Sequence, residues 1–366
     1  KEQINFKIDF EDLTKIENAE RKAKEIAQSH ASIPFELDKG PLVRAILIKL
    51  EEDKHIFVLT MHHIISDGWS LEVMINELTI IYKALTQKKK VELKPLSIQY
   101  TDFTIYQNER IVKEDEDYWM QKLSGEIGLI NLPYDYPQNI GGEAKGEQEN
   151  IFISGEIVDG LKELSKVHQT TLSNVVLSVF NILLSQLSGQ SNILIGMTSA
   201  NRNHPDIEDL VGFFVNSLVI RTDLSGDLVI GDLIEQVKKN TEEAFEHGNY
   251  PFDMLVEKLS PERFANQQPL VNVTYSFQNL NDIRFGNEDL NKDWEETNDL
   301  KVSLFNFGEG TGTSKFDLLL FVNEVGEGLD FKFEYNSNLF NRKSIQKYLT
   351  FFKKFLTMVI QKPEEA

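Results

Sequence analysis

Two consecutive histidines, His62 and His63, with Asp67 and Gly68 shortly after them, are the residues of this chain best suited to acid–base chemistry. An imidazole exchanges a proton near neutral pH, so a histidine projecting into a cleft is the usual general base for acyl transfer. Asp67 could orient His63, pair with a cation, or brace the turn. The same two side chains stand at a spacing that could chelate a metal. The chain holds 7 His and no Cys, however, and no second ligand pair accompanies the first, whereas a closed zinc site wants about four protein ligands. No metal is expected. The lack of Cys also removes a thiol nucleophile and any disulfide. There is no G-x-S-x-G elbow to present a serine and no G-x-x-x-x-G-K-[ST] phosphate loop. An acyl group handled by this chain must arrive already activated.

The surrounding pattern places the histidines at a strand exit. Leu42 to Leu50 and Ile56 to Met61 are apolar runs joined by the charged turn Glu51 to Lys54, and they read as an antiparallel hairpin. Leu71, Met74, Ile75, Leu78 and Tyr82 then recur at helical spacing, with Ser70 as the expected N-cap and a sharp turn at Gly68. Side chains in such a connection can project into a cleft. Before the hairpin, Ile4, Phe6, Ile8 and Phe10 alternate as a half-buried strand, and a helix-compatible stretch runs to about Ser29.

A second core is written further along. Leu172, Val175, Val176, Val179, Phe180, Leu183, Leu184 and Leu187 form an amphipathic ridge. Ile193 to Met197, Phe213 to Arg221 and Val271 to Gln278 read as strands. Leu233, Ile234, Val237, Ala244 and Phe245 mark a helix, and Pro251 suits the first turn of a short one ending at Leu259. Phe316 to Val322 and Leu329 to Tyr335 read as a hairpin, and Ile345 to Val359 as a closing helix. The stretch 125–148, rich in Pro, Gly and polar residues, is the expected linker between two α+β halves, 1–148 and 149–366. The acidic, Asn-rich stretch 280–299 is an expected insertion.

With 366 residues, 41% hydrophobic and 26% charged, the chain has the composition of a soluble globular protein large enough for more than one core. No apolar run approaches the roughly 18 residues of a membrane span, and no signal-peptide pattern opens the chain. A cytoplasmic location is expected. The net charge of −20 repels nucleic acid and anionic membrane, so neither is an expected partner. The first residue is Lys1, and a strand begins almost at once, so the sequence reads as the interior of a longer chain.

The run His62-His63-Ile64-Ile65-Ser66-Asp67-Gly68 resembles the H-H-x-x-x-D-G signature of condensation domains of nonribosomal peptide synthetases. Epimerization domains share it, and acyltransferases of the chloramphenicol acetyltransferase type carry a looser form. The flanks extend the resemblance in order along the chain. They include Pro34-Phe35-Glu36-Leu37, Gly40 to Ala45, Gln99 to Phe103, Tyr118-Trp119, Leu132 to Pro137, and Ile195-Gly196 through Asn201-Arg202. Val211-Gly212-Phe213-Phe214-Val215-Asn216-Ser217-Leu218, Tyr250 to Asp253, and Pro269-Leu270 through Ser276-Phe277-Gln278-Asn279 continue it. The family's opening motifs, of the S-x-A-Q-x-R and R-H-E-x-L-R-T-x-F types, are not present.

The resemblance implies an α+β fold of two chloramphenicol acetyltransferase-like lobes in a V with a central tunnel. It implies peptide-bond formation between an acceptor amine and a donor thioester, each carried on the 4′-phosphopantetheine arm of a carrier domain, with no cofactor bound by this chain. Donor and acceptor carrier domains are the implied partners, with an adenylation domain as neighbour. His63 is implied as the active-site histidine, with His62 and Asp67 supporting the loop and Gly68 offering a backbone N–H near the thioester. Asn216 is implied as a tunnel residue, and Trp69, Ser276 and Gln278 as further substrate contacts.

The Ser66-Asp67-Gly68-Trp69-Ser70 form suits a domain that condenses an L-configured upstream residue, with a fatty-acyl starter domain as second reading. A non-catalytic module that recruits partner proteins is the reading from another class, and a coenzyme A acyltransferase is a third. Arg202 is the expected structural partner of Asp67, because a buried carboxylate needs a cation and a guanidinium can clamp it bidentately. The alternative is that Asp67 only caps local backbone N–H groups.

Overall fold

The computed structural model describes residues 6–109, 112–125, 127–137, 145–259, 269–278, 284–285, 288–289, 303, 305 and 312–361. In chain order the elements begin β1 (Ile8–Asp12), α1 (Ala19–Ser32), β2 (Val43–Lys49), β3 (His55–Met61), a single 3₁₀ turn (His63–Ile65), α2 (Gly68–Thr86), α3 (Tyr100–Glu109) and α4 (Lys113–Lys122). They continue with β4 (Gly146–Ser154), α5 (Glu156–Val167), α6 (Leu172–Ser188), β5 (Asn192–Ser199), α7 (Pro205–Glu208), β6 (Asn216–Asp223), α8 (Ile230–Glu246) and α9 (Phe252–Leu259). The last are β7 (Val273–Gln278), the short β8 (Arg284–Phe285) and β9 (Glu288–Asp289), β10 (Leu318–Val325), β11 (Gly328–Asn336) and α10 (Arg342–Gln361).

The chain divides into two compact units. One comprises Lys1–Asp102, Arg202–Phe214 and Ile283–Thr311; the other comprises Phe103–Asn201, Val215–Asp282 and Gly312–Ala366. These bounds differ from a single break after 148. Much of the stretch expected as the linker belongs to the second unit, where its Ile130 and Leu132 are buried in the core. The Asn272 side chain fixes Ile130 there, accepting its N–H at 3.0 Å and donating to its carbonyl at 2.9 Å. The expected insertion 280–299 lies largely outside the described residues.

In the first unit β1 runs parallel to β2, and β2 pairs antiparallel with β3, from Val43 opposite Met61 to Lys49 opposite His55. That is the expected hairpin. Ala23 and Ala27 of α1 pack on Ile46, Ile48, Ile56 and Val58, because strand alternation turns those four to one face. β1 departs from expectation. Ile8 and Phe10 pair opposite Ala45 and Leu47, on the face away from α1, and stay 49% and 58% exposed. On α2 only Ser70 and Thr79 are buried, and the periodic Leu71, Leu78 and Tyr82 remain exposed.

The second unit is built on a six-stranded mixed sheet in the order β4-β11-β10-β7-β5-β6. Helices α5, α6, α8 and α10 pack against one another and on this sheet. Val175, Val176, Val179, Phe180, Leu183 and Leu184 of α6 are wholly buried, as the sequence ridge requires. Phe180, Phe333 and Phe352 interlock with centroids 6.0 to 6.2 Å apart, within the range of favourable aromatic contact. Among the described residues no single helix is long and apolar enough to cross a membrane.

Candidate active site

The site is built where β3 runs out. The His62 N–H donates to the Leu42 carbonyl at 3.0 Å, prolonging the hairpin ladder by one bond. His62 is extended, and its Nδ1 accepts the Ile64 N–H at 3.1 Å, which starts the 3₁₀ turn. A ring nitrogen that accepts carries no proton, so neutral His62 holds its proton on Nε2. The ring also stands edge-on to Phe35, at 6.1 Å between centroids, and the Arg44 guanidinium covers Phe35 at 4.0 Å. The Nδ1 of His62 is thus committed to the turn.

His63 is the first residue of that turn and is exposed. Its ring meets Phe213 edge to face, with centroids 5.2 Å apart and planes at 89°. No hydrogen bond to the ring is found among the described residues.

Asp67, in extended backbone, is the N-cap of α2. Its Oδ1 accepts the Ser70 N–H at 2.8 Å and lies 2.7 Å from Ser70 Oγ. The cap expected at Ser70 therefore sits three residues earlier, where a carboxylate on extended backbone reaches the third N–H of the helix. The Phe214 N–H donates to Oδ2 at 3.1 Å. Gly68 opens the helix without a positive φ, so no sharp turn depends on it. A Cβ added there would meet nothing within 4 Å.

Arg202 meets this carboxylate directly. Its Nη2 lies 3.1 Å from Oδ1 and 3.4 Å from Oδ2, and both side chains are at most 1% exposed. The expected two-nitrogen clamp is not formed. Nη1 instead donates to the carbonyls of Ile207 at 2.6 Å and Leu210 at 2.7 Å, beside the C-terminal end of α7. The guanidinium lies 4.0 Å from the Phe214 ring centre. Burial opposes the charge on Asp67, but the bonds from Ser70 and Phe214, with Arg202 beside it, hold its carboxyl below the usual carboxylate range. Burial lowers the Arg202 guanidinium from its ordinary value, and Asp67 opposes that shift.

Ser70 is the residue sequence reasoning underrated. Its hydroxyl is fully buried, accepts the Gly212 N–H at 3.1 Å and the Arg202 Nη2–H at 3.1 Å, and can donate to Asp67 or to the Gly212 carbonyl. The Tyr100 hydroxyl donates to the Phe213 carbonyl at 2.7 Å. At Gly212 a Cβ would fall 2.3 Å from Tyr100 Cδ2, which explains the glycine. The strand expected from Phe213 begins only at Asn216, because the preceding backbone bonds to α2 and Tyr100 instead of a sheet neighbour.

The remaining expected contacts are distributed otherwise. Trp69 donates Nε1–H to the Glu208 carbonyl at 2.9 Å and is 41% exposed. Asn216, in the second unit, is not free to hold a substrate as expected. Its Nδ2 donates to the carbonyls of Gly248 at 2.8 Å and Tyr250 at 2.7 Å, and its Oδ1 accepts the N–H groups of Ser217 and Phe252. That exhausts an amide's two donors and two acceptor sites. Ser276 and Gln278 lie at the end of β7, half-buried and exposed, opposite Phe321 and Asn323 of β10. Among the described residues no three or more His, Asp or Glu side chains gather where they could hold a metal ion.

A histidine at a strand exit, followed by a buried carboxylate at a helix start, is the geometry the sequence signature asks for. A family model described as Condensation domain matches residues 1–366. The chain belongs to the condensation domain family. It is 32% identical over 367 residues to gramicidin S synthase 2 of Brevibacillus brevis, covering 99% of this chain and 8% of that protein. It is 38% identical over 326 residues to malpinin synthetase of Mortierella alpina, covering 88% of this chain and 4% of that one. The condensation domain thus spans a small part of the curated relatives it matches. Its α+β fold is that of the X-domain from teicoplanin biosynthesis, with a TM-score of 0.85 at 19% identity over 99% of this chain and 80% of that one. The four-domain nonribosomal peptide synthetase AB3403 aligns with a TM-score of 0.83 at 22% identity, over 99% of this chain and 28% of that one.

Within the condensation domain the signature residues divide their work. His62 shapes the turn, Asp67 ties the helix start to Arg202 and Phe214, and His63 alone of the three presents an exposed ring.

Proposed function

We propose that this condensation domain joins a carrier-bound acceptor amine to a carrier-bound acyl or peptidyl thioester, with His63 as the base. The observation that carries the reading is the exposed His63, four residues before the buried Asp67 that pairs with Arg202. A merely structural histidine would be expected to spend its nitrogens on the fold, as His62 spends its Nδ1.

The acceptor nitrogen attacks the thioester carbonyl carbon, the C–S bond breaks, and an amide and a free thiol result. His63 takes the proton shed by the attacking nitrogen and returns it to the departing sulfur. The thioester supplies the driving force. Two tethered substrates held as neighbours gain much of the rate from lost translational freedom. Gly68 leaves room above the first N–H groups of α2, where a developing oxyanion can be met by backbone dipoles. The 4′-phosphopantetheine arms come with the donor and acceptor carrier domains, and an adenylation domain is the neighbour this reading calls for.

The Ser66 to Ser70 segment favours an L-configured upstream residue as donor. Solved relatives of this fold include both a starter condensation domain and an X-domain in complex with OxyB, so fold alone does not choose among acyl donors or roles. The exposed histidine favours catalysis. The test presents carrier-bound donor and acceptor to the protein and follows the carriers by intact-protein mass spectrometry. A mass gain on the acceptor equal to the donor acyl group supports the reading; an unchanged acceptor across aminoacyl and fatty-acyl donors overturns it.

A further inference from the structure

In the better-known histidine bases a carboxylate on the second ring nitrogen fixes the imidazole. His63 has no such partner among the described residues, and the nearby Asp67 is already committed to Ser70, Phe214 and Arg202. Packing must orient the ring instead. We propose that Phe213 is the positioning residue for His63, holding the imidazole in one direction through its edge-to-face contact.

Phe213 is suited to this because its own backbone is fixed on three successive residues. The Gly212 N–H donates to Ser70 Oγ at 3.1 Å, with the Gly212 carbonyl 2.9 Å from the same oxygen, the Phe213 carbonyl accepts the Tyr100 hydroxyl, and the Phe214 N–H is held by Asp67. The ring is therefore aimed by the same carboxylate and serine that begin α2. It is 38% exposed, so it is not there chiefly to fill a core. None of the anchoring bonds uses the Phe213 side chain. Replacing the ring should leave the segment in place and release only the imidazole.

This inference rests on His63 being the base, and the experiment separates the two. Phe213→Leu and Phe213→Tyr are compared with wild type and with His63→Gln. The His63 ring-proton resonance, assigned by its loss in His63→Gln, should move in Phe213→Leu as the ring current of Phe213 is removed, and stay near the wild-type position in Phe213→Tyr. With carrier-bound substrates, kcat of Phe213→Leu should fall about 10- to 100-fold through misorientation, with KM for the acceptor unchanged and most activity restored in Phe213→Tyr. An unmoved His63 resonance in a folded Phe213→Leu overturns the inference whatever the activity. A wild-type kcat for Phe213→Leu, alongside an inactive His63→Gln, also overturns it while leaving His63 as the base. If His63→Gln keeps the wild-type rate, the reading of His63 falls and the positioning role falls with it.

Discussion

The Asp67 carboxylate and the Arg202 guanidinium lie 3.1 Å apart with both side chains almost wholly out of water. Each also satisfies backbone: Asp67 accepts the N–H groups of Ser70 and Phe214, and Arg202 donates to the carbonyls of Ile207 and Leu210. Ion pairing and helix capping, posed as alternatives from sequence, coexist on one side chain. The pair joins the start of α2, which follows His63, to the segment carrying Phe213.

Removing either partner leaves a buried charge and several unpaired backbone groups. Asp67→Ala and Arg202→Ala should each lose about 3–5 kcal/mol of stability in denaturant unfolding. The double variant should lose less than the sum, with a coupling of about 1–3 kcal/mol. Strict additivity would mean the contact carries no energy.

The Asp67 carboxyl sits below its ordinary value, so its contribution is present above the usual carboxylate range and fades as pH falls through the lowered value. Asp67→Asn should therefore differ most from wild type near neutrality and least in strong acid. Unfolding midpoints followed down the acid side check this.

Asp317 should behave in the opposite sense. Burial pushes its carboxyl up, although the Tyr134 hydroxyl and the Asn272 amide donate to it at 2.7 and 2.9 Å. The native state then favours the protonated form, and stability is lost as pH rises from the ordinary carboxylate value through the raised one. Asp317→Asn, which mimics the neutral group, should gain on wild type as pH rises over that interval. A constant difference between the two across that interval would contradict the assignment.

Gly68→Ala separates fold from chemistry. The backbone does not demand glycine, and a Cβ meets no protein atom within 4 Å. Thermal unfolding should be unchanged or slightly higher, since alanine favours a helix by about 1 kcal/mol over glycine. On the proposed function, condensation should slow, because the methyl group would fill the open space at Gly68. A fully active variant would remove Gly68 from the site.

Much of the fold was legible because it is periodic. The α6 ridge and the two hairpins follow from spacing alone, and their burial matches it. Ile130 and Leu132 were hidden among prolines and glycines, and only the distant Asn272 makes their stretch part of a core. Asn216 was placed in the site by resemblance, yet its amide is consumed by the loop before α9, a partnership separated by more than thirty residues of sequence. Ser70 was readable in part: an aspartate three residues before a serine at a helix start is a capping pattern. Its second set of bonds, to Gly212, was not readable, because nothing local links positions 70 and 212.

The central claim is that His63 moves the proton. Single-turnover condensation of carrier-bound donor and acceptor, wild type against His63→Ala, tests it most directly. The variant should fold normally, since the His63 ring is exposed and makes no hydrogen bond among the described residues. Its rate should fall by about 10² to 10⁴. A His63→Ala protein that condenses its substrates at the wild-type rate across pH would contradict the account.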